Sequence, residues 1–105
     1  ITFPKYNIYN KSAYHLFIIQ INFDLLKTKK DKFFEYMKKN NIICQYHYIP
    51  IYKFSYFKRK TNYSLKNCED YFKKSVSLPI YYELNLKEIN IIIKKISQFI
   101  KLNIK

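Results

Sequence analysis

The sequence predicts an α+β domain, a small and mostly antiparallel sheet of about three strands covered by helices. Three observations carry this expectation. Phe17, Ile19, Ile21 and Phe23 recur at period two with Gln20 and Asn22 on the other face, residues 86–100 repeat apolar side chains at spacings of three and four, and the stretches between them read as helix, strand, irregular loop, helix and short strand. A chain of 105 residues is the size of one ordinary domain with a single core. It is short for a cofactor enzyme with two substrates.

Each element follows from local chemistry. Residues 1–12 carry Pro4, Asn7, Asn10 and Ser12 without clean periodicity and read as an extended lead-in, with the domain proper over 13–105. From His15 to Phe23, Phe17, Ile19, Ile21 and Phe23 share one face of a first strand while Gln20 and Asn22 share the other. Thr28 and Asp31 resemble a capping box ahead of Phe33, Phe34, Met37 and Asn41 at helical spacing. That spacing predicts a helix over about 29–40, ended by Asn40 and Asn41, which tolerate the left-handed conformation where glycine is absent. Ile42 to Tyr48, rich in β-branched and aromatic residues and stopped by Pro50, reads as a second strand.

Residues 51–63 read as a short helical turn and a loop. Asn67 is the expected cap of a helix whose Cys68, Tyr71, Phe72 and Ser75 form one stripe, with Glu69 and Asp70 in the first turn. Val76 to Leu78 form a short strand ended by Pro79. Asn85 and Glu88 then make a capping pair before the stripe of Leu86, Ile89, Ile92, Ile93, Ile96, Phe99 and Ile100, the strongest helix signal in the chain.

The formal charge of +13 raises nucleic acid or an anionic membrane as a partner. The kind of cation argues against both. Arg59 is the only arginine, and the lysines come with many Ile, Asn and Tyr and no glycine, the residues that AT-rich coding favours. Phosphate and base readout favours the bidentate guanidinium, which this chain hardly uses. No apolar run approaches the ~18 residues needed to cross a bilayer, and without glycine there is no phosphate-cradling loop. The start at Ile1, with no initiator Met and no export-signal pattern, reads as a truncation of a cytoplasmic protein. Cys44 and Cys68 are too few for a disulfide framework; Cys44 and His47 have half a zinc-site spacing with no second spaced pair, so no metal is expected.

Three strings occur in order: Ser12-Ala13-Tyr14-His15-Leu16-Phe17, then Gln45-Tyr46-His47-Tyr48-Ile49-Pro50-Ile51-Tyr52, then Ser77-Leu78-Pro79-Ile80-Tyr81. Together they resemble the C-terminal small domain of the DegT/DnrJ/StrS family of sugar aminotransferases. The first resembles the strand that opens that domain, the second the family's H-Y-x-P segment, the third its S-L-P-x-Y segment before the last helix. Asn67 to Phe72 also resembles the helix start that precedes S-L-P. Tyr48 to Phe57 looks most like the branch that aminates a UDP-linked 4-keto-6-deoxy-N-acetylhexosamine, the UDP-4-amino-4,6-dideoxy-N-acetyl-altrosamine transaminases. Many relatives carry a second His two residues after the Pro, where this chain has Tyr52.

The resemblance implies transamination with pyridoxal 5'-phosphate held by a lysine, glutamate as amino donor and a UDP-sugar as acceptor. The cofactor lysine and phosphate ligands belong to the family's large domain, and no residue here matches them. The expected partners are therefore the chain's own large domain and a second copy in a homodimer. No catalytic residue is expected in this piece, which alone should be inactive. His47, Tyr48 and Tyr52 would line the sugar-nucleotide side of the cleft, the imidazole and hydroxyls meeting substrate oxygens and the aromatic faces stacking on rings. The plainer alternative makes His47 an ordinary strand-end histidine and the two tyrosines core or surface aromatics. His15 and Tyr81 read as structural. A free-standing basic module that binds RNA or a protein is the competing function.

Overall fold

The computed structural model describes residues 1–5, 8–9, 11–58 and 65–105. Its sheet has two strands, β1 (Phe17–Gln20) and β2 (Ser75–Leu78), paired antiparallel with Ile19 opposite Val76 and Ile18 opposite Ser77. Among the described residues four α-helices complete it: α1 (Lys30–Lys39), α2 (Ser55–Lys58), α3 (Lys66–Lys74) and α4 (Leu86–Asn103). Single bridges extend both edges, Thr2 to Gln20 beside β1 and Gln45 to Ser77 beside β2. The architecture is the α+β layer that the sequence predicts.

Burial of apolar surface explains the layer. Ile19 and Val76, cross-strand partners on one face of the ladder, are almost wholly buried with Phe33 and Met37 of α1. Ile92, Ile96 and Phe99 of α4 close the same cluster, and the Phe33 ring meets Phe99 edge-on at 5.1 Å. Successive strand residues point to opposite faces, so Ser75 and Ser77 look away from this core.

Three local expectations hold. Asn85 accepts from the Glu88 backbone while Glu88 accepts from the Asn85 backbone, a complete capping box at the start of α4. Asn41 takes the left-handed conformation just after α1, at φ 60°. Phe33 and Met37, the centre of the α1 stripe, are its buried residues.

Tertiary context overrides others. The expected first strand runs to Phe23, but the ladder stops at Gln20, where Ile21 N–H turns to the Lys74 carbonyl at 2.9 Å. Asn22 then caps a 3-10 turn over Phe23–Leu25, an alternative hydrogen bond that competes with the ladder. The expected second strand, Ile42 to Tyr48, is reduced to the Gln45 bridge. Ile42 enters the core while Ile43 stays exposed, so its apolar residues mark a half-buried edge and not a paired strand. Lys29 stands at the start of α1 without a side-chain cap, so the Thr28 box does not form. Leu65, and not Asn67, is the first residue flanking α3. Of the α4 stripe, Leu86 and Ile93 remain exposed. The short helical turn expected after Pro50 is present as a 3-10 turn at Ile51–Lys53 followed by α2, while residues 59–63 of that stretch lie outside the described residues.

The core and the cap have separable contributions. Phe33→Ala should destabilise the fold by about 3–5 kcal/mol, because truncating a buried ring removes transfer energy and leaves a cavity. Asn85→Ala should cost about 1 kcal/mol through the lost cap. Urea denaturation followed by circular dichroism reads both, and a Phe33→Ala effect no larger than the cap effect would contradict this core.

Candidate functional site

Of the three residues singled out in the sequence, two come together. The bridge between Gln45 and Ser77 makes both reciprocal backbone hydrogen bonds at 3.0 Å, which holds the chain two residues before His47 against β2. His47 then places its Nδ1 2.7 Å from Ser77 Oγ. This contact lies on the sheet face opposite the core formed with α1 and α4, since Ser77 alternates with the core residue Val76. Tyr48 packs edge-on against the His47 ring at 4.6 Å and is 68% exposed, so its phenol projects outward. The His47 ring is half-buried and tied through one nitrogen, a geometry that an ordinary strand-end histidine and a cleft residue share.

Tyr52 belongs to a neighbouring cluster. Its hydroxyl donates to Glu69 Oε1 at 3.0 Å, and the other Glu69 oxygen takes Lys53 in an ion pair. Lys53 holds the Glu69 carboxyl below its usual range, while burial first and then Glu69 raise the Tyr52 phenol. Tyr52 therefore anchors the segment after Pro50 to α3.

Between α1 and α3 lies a groove of about 720 Å³ lined by Lys30, Asp31, Tyr46, Lys53 and Phe72 among others. Lys30 Nζ donates to the Phe72 carbonyl and sits 4.5 Å and 4.8 Å from the centroids of Phe72 and Tyr46. Tyr46 in turn stacks on Phe34 at 4.0 Å and donates to Asp31. Burial pulls the Lys30 ammonium down to about 8, opposed by Asp31, and pushes the Tyr46 phenol up to about 12. The ring faces and the carbonyl, which lies in the last turn of α3 and also accepts from Ser75 Oγ, favour a cation there. This cluster is a tie between two helices.

The remaining candidates are dispersed. His15 is exposed, and Tyr81, expected to pack, is also exposed with Glu88 beside it. Cys44 is half-buried against the core, Cys68 is exposed on α3, and no group of three His, Cys, Asp or Glu among the described residues is placed to hold a metal ion. No helix of the described residues is long and apolar enough to cross a membrane.

Comparison with known proteins decides the family. The model of the DegT/DnrJ/EryC1/StrS aminotransferase family matches residues 2–97. The chain belongs to this family. It is 34% identical over 85 residues to the UDP-4-amino-4,6-dideoxy-N-acetyl-beta-L-altrosamine transaminase of Campylobacter jejuni, covering 80% of this chain and 22% of that protein. An uncharacterized protein of Methanocaldococcus jannaschii is 28% identical over 103 residues, 95% of this chain and 27% of its own length. Among solved structures, Helicobacter pylori PseC, an aminotransferase involved in the biosynthesis of pseudoaminic acid, superposes with a TM-score of 0.77 at 31% identity, over 84% of this chain and 24% of PseC. The fold also matches a putative sugar aminotransferase of Streptococcus pneumoniae in its PMP form, with a TM-score of 0.69 at 21% identity. The chain thus spans about a quarter of the length of the relatives it matches.

Sequence reasoning placed Ser77 in the S-L-P string without giving it a role, and it missed Glu69 as the partner of Tyr52. The alternation beside Val76 was the available signal for Ser77, since it sends a small polar side chain to the face opposite the core.

The two thiols should react differently. Burial pushes the Cys44 thiol from 9.0 up to about 12, so at pH 8 iodoacetamide should modify exposed Cys68 well before Cys44, as peptide mass spectrometry would show. Because the folded thiol keeps its proton where the unfolded one loses it, Cys44 should also make stability fall as pH rises from 9 towards 12.

Proposed function

We propose that this chain is the C-terminal small domain of a nucleotide-sugar aminotransferase that aminates a UDP-linked 4-keto-6-deoxy-N-acetylhexosamine with glutamate as donor. The observation that carries this reading is the likeness to PseC, in both sequence and fold, over most of the chain. The curated transaminases of Campylobacter jejuni and Helicobacter pylori support the same substrate class. Residues 13–105 form the domain and residues 1–12 lead in from the large domain. The whole protein is a cytoplasmic homodimer.

Pyridoxal 5'-phosphate, when bound, supplies the amino-group transfer, and the fit of this chain's residues argues that the large domain holds it. A cofactor phosphate needs several convergent donors such as the N-terminal N–H groups of a helix. Around His47 the chain offers an imidazole and a phenol, with Ser77 Oγ already engaged. The half-buried Lys30 is engaged too, its Nζ on the Phe72 carbonyl between aromatic rings. The domain therefore contributes a wall of the cleft, without a cofactor lysine.

On that wall His47 and Tyr48 hydrogen-bond to oxygens of the sugar nucleotide, and the exposed Tyr48 ring stacks on it. Tyr52 works at the rim by holding the segment after Pro50 through Glu69. Two exposed apolar surfaces agree with burial against a larger body. One is the aromatic run Tyr46, Tyr48, Phe54, Tyr56 and Phe57; the other is a concavity of about 520 Å³ between α4 and the sheet edge, where Phe17, Leu78, Ile89 and Ile93 are among the lining residues.

Kinetics on the full-length protein test the assignment. His47→Ala should raise the KM for the UDP-sugar about tenfold, the loss expected for one hydrogen bond to a charged or strongly polar group. The half-reaction with glutamate should keep its rate. Tyr52→Phe, which breaks the tie to Glu69, should raise the same KM by a smaller factor. Unchanged values for His47→Ala would remove His47 from the site, and amination by the isolated chain would overturn its role as a partial cleft.

A further inference from the structure

Ser77 is a buried polar residue to which the proposed function gives no role. It is 3% exposed, in the middle of β2. Its backbone N–H and carbonyl are both taken by Gln45, and its neighbour Val76 is locked in the core, so the backbone under the hydroxyl is held from both sides. Among the described hydrogen bonds, the Ser77 hydroxyl has His47 Nδ1 as its partner, at 2.7 Å. A buried hydroxyl proton needs an acceptor, and an unprotonated Nδ1 is the one within reach. With Nδ1 accepting, the neutral imidazole carries its proton on Nε2, the nitrogen turned away from the strand.

We infer that Ser77 is a positioning residue for substrate recognition: its hydroxyl fixes the His47 ring so that Nε2–H is presented as a donor to an oxygen of the nucleotide-sugar. The inference rests on the cleft-wall reading of His47 and adds the group that orients it. Ser77 itself touches no substrate. Its effect passes through the imidazole, much as a partner on the second nitrogen orients a metal-bound histidine. Tyr48, edge-on to the same ring, restrains the plane from the outer side.

A double-mutant cycle in the full-length protein tests it, with KM for the UDP-sugar as the readout. Ser77→Ala should raise that KM about fivefold, somewhat less than His47→Ala, because the ring remains but loses its orientation. The rate of the half-reaction with glutamate should not change. In the His47→Ala background, Ser77→Ala should add less than about a twofold further effect, since two residues acting as one unit are not additive. An equal loss in both backgrounds would make Ser77 a packing residue and overturn the inference. Should Ser77→Ala not fold, Ser77→Cys keeps the shape with a weaker donor and should raise KM in the same direction. If His47→Ala raises KM and neither Ser77 variant does, the cleft-wall reading stands and the inference falls. If His47→Ala itself is silent, both fall.

Discussion

Val76 and Ser77 are adjacent in β2, and the pleat that sends one into the helices sends the other to the opposite face. The rest of the structure depends on this alternation. Val76 opposite Ile19 is the floor on which α1 and α4 pack, through Phe33, Met37 and Phe99. Ser77 meets His47 on the far face and exchanges backbone bonds with Gln45, so the same strand that anchors the core also holds the segment carrying the candidate site. A slip of one residue in the β1–β2 register would bury Ser77 among apolar side chains and bring Val76 to His47. Folding and site geometry are therefore one constraint.

The segment after the Gln45 bridge is held at points and not along a ladder. Ser77 takes His47, Asp31 takes Tyr46, and Glu69 takes Tyr52 and Lys53. These ties come from three different elements, β2, α1 and α3, and leave the Tyr48 ring between them exposed. The family members that the chain matches are about four times longer than it is.

The high positive charge fits the same picture. Exposed lysines project from α1 and α4 beside the buried residues Phe33, Met37, Ile92, Ile96 and Phe99, and some acids are engaged at the surface, as in Lys32 with Glu35 and Lys73 with Asp24. Pairs this exposed contribute little to stability. Core packing and the α4 cap hold the fold, and the charge is a property of its solvated faces.

Sequence alone determined what is local. The α4 capping box lies within four residues, the left-handed Asn41 follows from a helix end without glycine, and the α1 and α4 stripes follow from helical period. The short strings around His47 and Ser77 were enough to reveal the family, because they are contiguous. Tertiary structure decided everything that joins distant residues. Ile42 to Tyr48 has the composition of a strand, yet it finds a strand partner at Gln45, and its other ties are the Ile42 N–H on the Met37 carbonyl and the side chains of Tyr46 and His47. The Ser77–His47 contact spans thirty positions, and Tyr52 finds Glu69 across seventeen. No periodicity encodes such pairs, since they exist only once burial of Ile19, Phe33 and Val76 has fixed the register that brings them together.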